Sequence, residues 1–154
     1  ALTMAELSFS TPVGDLTVIS EEGAITGVAW RRARDPQENP ELLEARAQLE
    51  TYFDGRLTEF DLPFEVKGSK AQKEVCAQMA AIPFGETLTY GDIAARVGLP
   101  AQAVGAACGG NPIPVIIPCH RVLGATSLGG FSGGVGIDTK VWLLRHEGAA
   151  GLLI

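Results

Sequence analysis

The sequence contains no apolar run approaching the roughly 18 residues that a membrane-crossing helix needs. Its opening, ALTMAELSFS, lacks the basic and apolar regions of a secretory signal. The cytoplasm is therefore the expected compartment, and no membrane partner is expected. Cysteine is scarce and odd in number: Cys76, Cys108 and Cys119, with no CxxC pair. That argues against a disulfide scaffold, and two histidines, His120 and His146, are too few for an obvious zinc site. No metal and no cofactor is expected, and a thiol with chemistry of its own becomes the point of interest. Internal repeats and low-complexity tracts are absent as well.

Hydrophobic residues make up 46% of the 154-residue chain, enough for one sizeable core or two small ones. The net charge of −6 at first opposes nucleic-acid binding. Its distribution points the other way. Residues 1–65 hold 5 basic against 13 acidic side chains, whereas residues 66–154 hold 7 against 5. An acidic front and a mildly basic back suggest two modules, of which only the second suits phosphates, with modest and salt-sensitive affinity. A monomer is expected.

The front reads as short alternating segments around Leu7 and Phe9, Leu16–Ile19 and Ile25–Trp30, separated by Thr11-Pro-Val-Gly-Asp15 and Glu21-Glu-Gly23. This pattern predicts three antiparallel strands. Residues 31–39 are polar loop. Asn39-Pro40-Glu41 starts a helix that Gly55 stops, and Phe60–Val66 reads as a further strand. In the back, Ser69-Lys-Ala-Gln72 is a capping box before a helix burying Val75, Met79 and Ile82, broken at Pro83-Phe84-Gly85. A short helix over Thr89–Val97, the tight Gly98-Leu-Pro100 turn and a small-residue helix over 100–108 outline a helix-turn-helix. A last helix begins near Asp138, with Trp142 in the core. The expected fold class is α+β. An N-terminal domain, residues 1–66, has an antiparallel sheet and a helix. A mainly α winged-helix or helix-turn-helix domain spans residues 67–154.

Pro118 stiffens the turn that holds Cys119. A cysteine is nucleophilic as the thiolate, and a histidine able to take its proton is the usual activator. Adjacent Cys119 and His120 would point to opposite faces of an extended strand, so a kinked backbone or an intervening water is needed. Glu147 is placed to hold an imidazole in one tautomer, with His146 as a competitor. A Cys-His pair alone is equally compatible with an inert buried thiol beside a satisfied histidine. Cys76 and Cys108 read as small packing residues.

The run Asn111-Pro-Ile-Pro-Val-Ile-Ile-Pro-Cys119-His-Arg-Val122 closely resembles the active-site signature of the O6-alkylguanine-DNA alkyltransferases, the methylated-DNA–protein-cysteine methyltransferases. The resemblance extends through Tyr90-Gly-Asp-Ile-Ala-Ala and Gly98-Leu-Pro to Ser132-Gly-Gly and Lys140-Val-Trp-Leu-Leu-Arg-His-Glu147-Gly148, covering roughly residues 68–148. It implies an irreversible, single-turnover transfer of an alkyl group from O6-alkylguanine in DNA, and from O4-alkylthymine, to Cys119. By the same resemblance His120 would deprotonate Cys119 through a water, and Glu147 would orient His120. Tyr90 would rotate the target phosphate and hydrogen-bond the flipped guanine, while Asn111 would tie the helix-turn-helix to the active-site turn. Ser132 would hydrogen-bond near O6, and Lys140 would lie close by. The small-residue helix, with Gln102, Ala103, Gly105 and Ala106, would enter the minor groove of alkylated duplex DNA, and Arg121 and Phe131 would join the DNA- and base-binding set.

Four positions depart from the family pattern. The arginine that fills the gap left by the flipped base stands as Gln102, and the pocket tyrosine stands as Phe131 without its hydroxyl. Ala71 and Cys76 replace large aromatics in the preceding helix. These departures weaken base flipping more than thiol chemistry. The alternative they keep open is an alkyltransferase-like protein that senses lesions without efficient repair. A winged-helix regulator with an incidental cysteine leaves the Cys-His-Arg turn unexplained, and a cysteine hydrolase lacks an oxyanion site.

Overall fold

The computed structural model describes residues 4–131, 133–134 and 136–149. The chain divides into two units between Glu65 and Val66.

In the first unit, β1 (Met4–Thr11), β2 (Gly14–Glu21) and β3 (Ala24–Ala29) form an antiparallel sheet in the order β1-β2-β3. Pairing runs from Met4↔Glu21 to Thr11↔Gly14, and a register shift at Ile19/Ser20 marks a bulge against β3. The β2–β3 turn places Glu22 and Gly23 at φ 51° and 83°, the positive values that a tight primed hairpin turn requires at both central residues. Helix α1 (Pro40–Phe53) starts where Asn39 Oδ1 accepts from Leu42 N at 2.9 Å, and Asn39 Nδ2 donates to Ser20 Oγ at 3.1 Å, so the cap also fixes the helix to β2. Leu42, Ala45, Leu49 and Tyr52 are buried with Leu7, Leu16, Val18 and Ile25 of the sheet. The strand expected over Phe60–Val66 does not form. That stretch makes one bridge, Ile25↔Phe64, through Ile25 N→Pro63 O and Glu65 N→Ile25 O, both 2.9 Å. Proline at 63 has no N–H to extend a ladder.

The second unit is mainly helical. Helix α2 (Lys70–Ala80) buries Val75, Cys76 and Met79. Its capping box is half made. Ser69 Oγ accepts from Gln72 N, but Gln72 Nε2 turns away to donate to Ala107 O at 2.7 Å. Helix α3 (Tyr90–Val97) is closed at its start by a full capping box between Thr89 and Asp92, beyond what the sequence pattern predicted, and at its end by Gly98 at φ 70°. Pro100 then precedes α4 (Ala101–Gly109), completing the helix-turn-helix. A short parallel pairing joins β4 (Leu88–Thr89) to β5 (Val122–Leu123), and α5 (Ile137–His146) follows. Trp142 is half-buried and not in the core. It stacks on His146 with ring centroids 4.8 Å apart. No helix among the described residues is long and apolar enough to cross a membrane.

Candidate active site

The segment leading to Cys119 is an unusual piece of backbone. Ile117 N donates to Ile113 O at 2.8 Å, and between them Val115 sits at φ 72°. A β-branched residue in the left-handed region is strained and persists only where its surroundings fix it. Asn111 supplies that fixing. Its Oδ1 accepts from Ile113 N at 3.0 Å and its Nδ2 donates to Ile117 O at 2.8 Å, so one side chain spans the loop between α4 and the cysteine. Pro118, at φ −79° and ψ 70°, lies in an inverse γ-turn closed by Cys119 N→Ile117 O at 2.8 Å. A single 3-10 turn, Cys119–Arg121, begins there. The backbone is kinked, so Cys119 and His120 escape the opposite-face geometry of a strand.

His120 is fully buried, and its Nε2 lies 2.7 Å from Glu147 Oε2. Burial pulls the imidazole pKa below its ordinary value despite the opposing effect of Glu147. The ring is therefore neutral. An ionised carboxylate only accepts, which places the proton on Nε2 and leaves Nδ1 as the acceptor. Nδ1 is buried and has no hydrogen-bond partner in the described structure. Burial alone would raise the Glu147 carboxyl, but the combined hydrogen bonds from His120 and Arg121 hold it well below the ordinary carboxylate range.

Arg121 departs from the expected DNA-binding role. Its Nε and Nη2 donate to Glu147 at 2.8 and 3.0 Å, and Nη1 donates to Ile82 O at 2.6 Å. A guanidinium committed on three sides and 6% exposed has no face for a phosphate. Its work is inward, as the second partner of the carboxylate that holds His120. Lys140 is buried too, with Nζ donating to Val122 O at 2.6 Å and Gly130 O at 3.1 Å. Burial brings its pKa down to about 8, while Cys119 and Cys108 pull it back up. Lys140 thus lies within electrostatic reach of the thiol but is bound to carbonyls and not offered to DNA.

Cys119 opens onto a cavity of about 400 Å³, shared with Tyr90, Cys108 and Phe131. The remaining lining is glycine, at positions 105, 109 and 130. Burial raises the Cys119 thiol pKa, against which the Asn111 amide and the Lys140 ammonium act. Burial likewise pushes the Cys108 thiol up to about 12. Tyr90 stands over Gly129, where a Cβ would come within 2.9 Å of its ring and hydroxyl. Gln102, Ala103 and Ala106 are exposed on α4, away from the core side chains Val104 and Ala107. Ser132 lies outside the described residues. Cys108, Gly109 and Gly130 line the pocket although their sequence context did not single them out as site residues. For the first two a signal existed, since Gly105, Cys108 and Gly109 share one helical face at i, i+3 and i+4.

A thiol at a pocket wall, a neutral imidazole oriented by a buried carboxylate and an exposed small-residue helix together suit nucleophilic capture of a group presented by a polymer. Comparison with known proteins agrees. The model of the 6-O-methylguanine DNA methyltransferase DNA-binding domain matches residues 70–149, and that of the family's ribonuclease-like domain matches residues 4–66. The chain is 41% identical over 147 residues to the methylated-DNA–protein-cysteine methyltransferase of Mycolicibacterium paratuberculosis, covering 89% of this chain and 88% of that protein. With the constitutive enzyme of Bacillus subtilis it shares 39% over 151 residues, 89% and 91% of the two chains. The crystal structure of Mycobacterium tuberculosis O6-methylguanine methyltransferase superposes with a TM-score of 0.82 at 36% identity over 99% of this chain and 97% of that one. The structure of that organism's protein in complex with DNA also gives 0.82, at 38% identity over 94% and 92%.

Proposed function

The chain belongs to the 6-O-methylguanine DNA methyltransferase family, and from that premise we propose that Cys119 is its alkyl acceptor and that His120, Glu147, Tyr90 and Asn111 serve the transfer. As a member of the family it binds DNA and repairs it by moving a methyl group from methylated DNA onto a cysteine of its own. The observation that carries the assignment to Cys119 is that its immediate sequence neighbour, His120, is paired with the buried Glu147, with Nδ1 the only ring nitrogen left to take a proton.

The chemistry runs as a displacement. A water bridges the Cys119 thiol to His120 Nδ1, because no direct hydrogen bond joins them, and relays the thiol proton to the imidazole. Glu147 stabilises the imidazolium that forms. The thiolate attacks the alkyl carbon, an S–C bond forms and the C–O6 bond breaks. The guanine leaves with the electron pair and takes up a proton. The thioether product is not hydrolysed, so each molecule reacts once. Since burial keeps Cys119 protonated at rest, the thiolate forms when the alkylated base has entered and excluded bulk water. Asn111 keeps Cys119 in register with α4, and Tyr90 faces the incoming base across the cavity. The exposed face of α4, with Gln102, Ala103 and Ala106, enters the minor groove of duplex DNA, and the protein acts as a monomer.

The test is an oligonucleotide carrying O6-methylguanine, offered single-stranded and as a duplex, followed by intact mass and peptide mapping. One methylene is expected on Cys119, at one per molecule, and none in Cys119→Ser. Good transfer from single strands with poor transfer from duplex would place the defect in flipping, at Gln102 and Phe131. Lesion-selective binding without any adduct would overturn the acceptor assignment in favour of a sensor.

A further inference from the structure

The carbonyls of a helix's last turn have no partner within the helix and are satisfied from outside it. At the end of α4 the following backbone supplies two donors, Gly110 N to Ala106 O at 3.0 Å and Asn111 N to Cys108 O at 3.3 Å. The carbonyl between them, on the buried Ala107, is met from another helix. Gln72 Nε2 of α2, 35 residues earlier, donates to Ala107 O at 2.7 Å. Neither a basic side chain in the last turn nor a left-handed C-cap closes α4, since Gly110 stands at φ −94° and ψ 7°.

The Gln72 side chain is held where it stands. Its amide nitrogen also lies 3.4 Å from Cys76 Sγ, and its backbone N–H donates to Ser69 Oγ at 3.1 Å. Room for it is kept by two glycines, neither of them at positive φ. A Cβ on Gly110 would come within 3.2 Å of Gln72 Oε1, and one on Gly68 within 3.1 Å of Gln72 Cγ. The backbone angles of Gly110 suit any residue, so its want of a side chain is explained by Gln72.

What Gln72 holds is the point where α4 becomes the active-site loop. Cys108 and Gly109, next after Ala107, line the Cys119 cavity. Asn111 follows, with its side chain spanning to Ile113 N and Ile117 O. Ile117 O in turn accepts from Cys119 N at 2.8 Å. A shift of the last turn of α4 therefore moves the cavity wall and the brace of the nucleophile together. Gln72 does not line that cavity, so its effect passes through α4.

Resting on the family reading above, we propose that Gln72 is a positioning residue for alkyl transfer. By holding Ala107 O it fixes the last turn of α4, and through that turn it sets Asn111 and Cys119 in register with the incoming base. An amide suits the task because it donates at every pH. A carboxylate at the same place has no proton to give and regains one only in acid.

The experiment measures single-turnover transfer from O6-methylguanine in a duplex oligonucleotide over a range of protein concentrations, well below the melting temperature, for wild type, Gln72→Met and Gln72→Glu. Val75→Ala, a cavity on the buried face of the same helix, controls for loss of stability alone. Gln72→Met is expected to lower the maximal rate by about tenfold to a hundredfold. Its half-saturating concentration should stay within about twofold, because the exposed face of α4 is unchanged. Val75→Ala should keep the wild-type rate. The rate of Gln72→Glu relative to wild type should climb as pH falls toward about 5, where the carboxyl regains its proton, while that of Gln72→Met stays level. A maximal rate for Gln72→Met equal to that of Val75→Ala overturns the proposal. So does a low Gln72→Glu ratio that does not change with pH, which also decides the matter should Gln72→Met fail to fold. A wild type that takes up no methyl on Cys119 overturns the family-based reading and this proposal together, whereas a reactive wild type with an unimpaired Gln72→Met overturns the proposal alone.

Discussion

Replacing Glu147 with glutamine tests whether the buried carboxylate organises the site. Glu147 is 5% exposed and accepts three hydrogen bonds, from His120 Nε2 at 2.7 Å and from Arg121 Nε and Nη2 at 2.8 and 3.0 Å. An amide of the same shape has one acceptor oxygen and no charge, so it leaves a 6% exposed guanidinium without its counterion. Breaking a buried pair by removing one partner costs about 3–5 kcal/mol, against a typical total of about 5–15 kcal/mol. For a chain of this size that corresponds to a fall in melting temperature of ~6–20 °C. Where the variant stays folded, the amide N–H can face His120 Nε2, which moves the imidazole proton to Nδ1 and removes the base. The transfer rate should then fall by roughly 10²–10⁴.

The pH dependence separates this account from simple loss of packing. The native Glu147 carboxyl is held below its ordinary value of 4.5, so on acidification the unfolded chain takes up the proton first. The stabilisation is full above that value and is lost as pH falls through the native pKa. Urea denaturation should therefore show a wide gap between wild type and Glu147→Gln at pH 7 that narrows below pH 4.5. A gap under about 1 kcal/mol at pH 7, against the expected cost of a broken buried pair, would refute the reasoning, as would one that stays constant into acid.

Gly129→Ala should displace Tyr90, since φ is 74° and the new Cβ would lie 2.9 Å from its ring; single-turnover assays are expected to show a loss of order 10²-fold. Lys140→Met removes a buried ammonium whose pKa is brought down by burial from 10.5 to about 8. Because the native lysine loses its proton before the unfolded one, the stability of wild type relative to this variant should rise between about pH 8 and 10.5, measured by urea denaturation. Glu6→Ala removes a carboxylate paired with Arg31 at 2.9 Å and accepting from Arg34 N at 2.8 Å. Arg31 is 38% exposed, so the expected cost is only about 0.5–1.5 kcal/mol and should shrink in high salt. For wild type, Glu6 is held at about 2 chiefly by the Arg31 hydrogen bond, so its contribution should disappear as pH falls from 4.5 toward 2.

What the sequence determined by itself is local. Turn chemistry at Thr11-Pro12-Val13-Gly14 and Glu22-Gly23 set the hairpins, and Asn39, Ser69, Gly98 and Pro100 set helix ends, because caps and turns are decided within a few residues. The run from Asn111 to Val122 pointed to Cys119 and His120 through its resemblance to a family signature, since a contiguous motif can be read without knowing the fold. Tertiary structure decided everything that depends on partners far along the chain. Phe60–Val66 alternates like a strand yet forms a single bridge, because the sheet offers it only Ile25 and Pro63 interrupts the donors. Gln72 reads as half of a capping box, but Ala107, 35 residues away, supplies a better acceptor for its amide. The resemblance puts Arg121 in the DNA- and base-binding set, but folding brings Glu147 and the Ile82 carbonyl to it across 26 and 39 residues. A cation enclosed with a carboxylate and a backbone oxygen is held there, since leaving any of the three unpaired in a desolvated interior costs more than a phosphate contact at the surface returns.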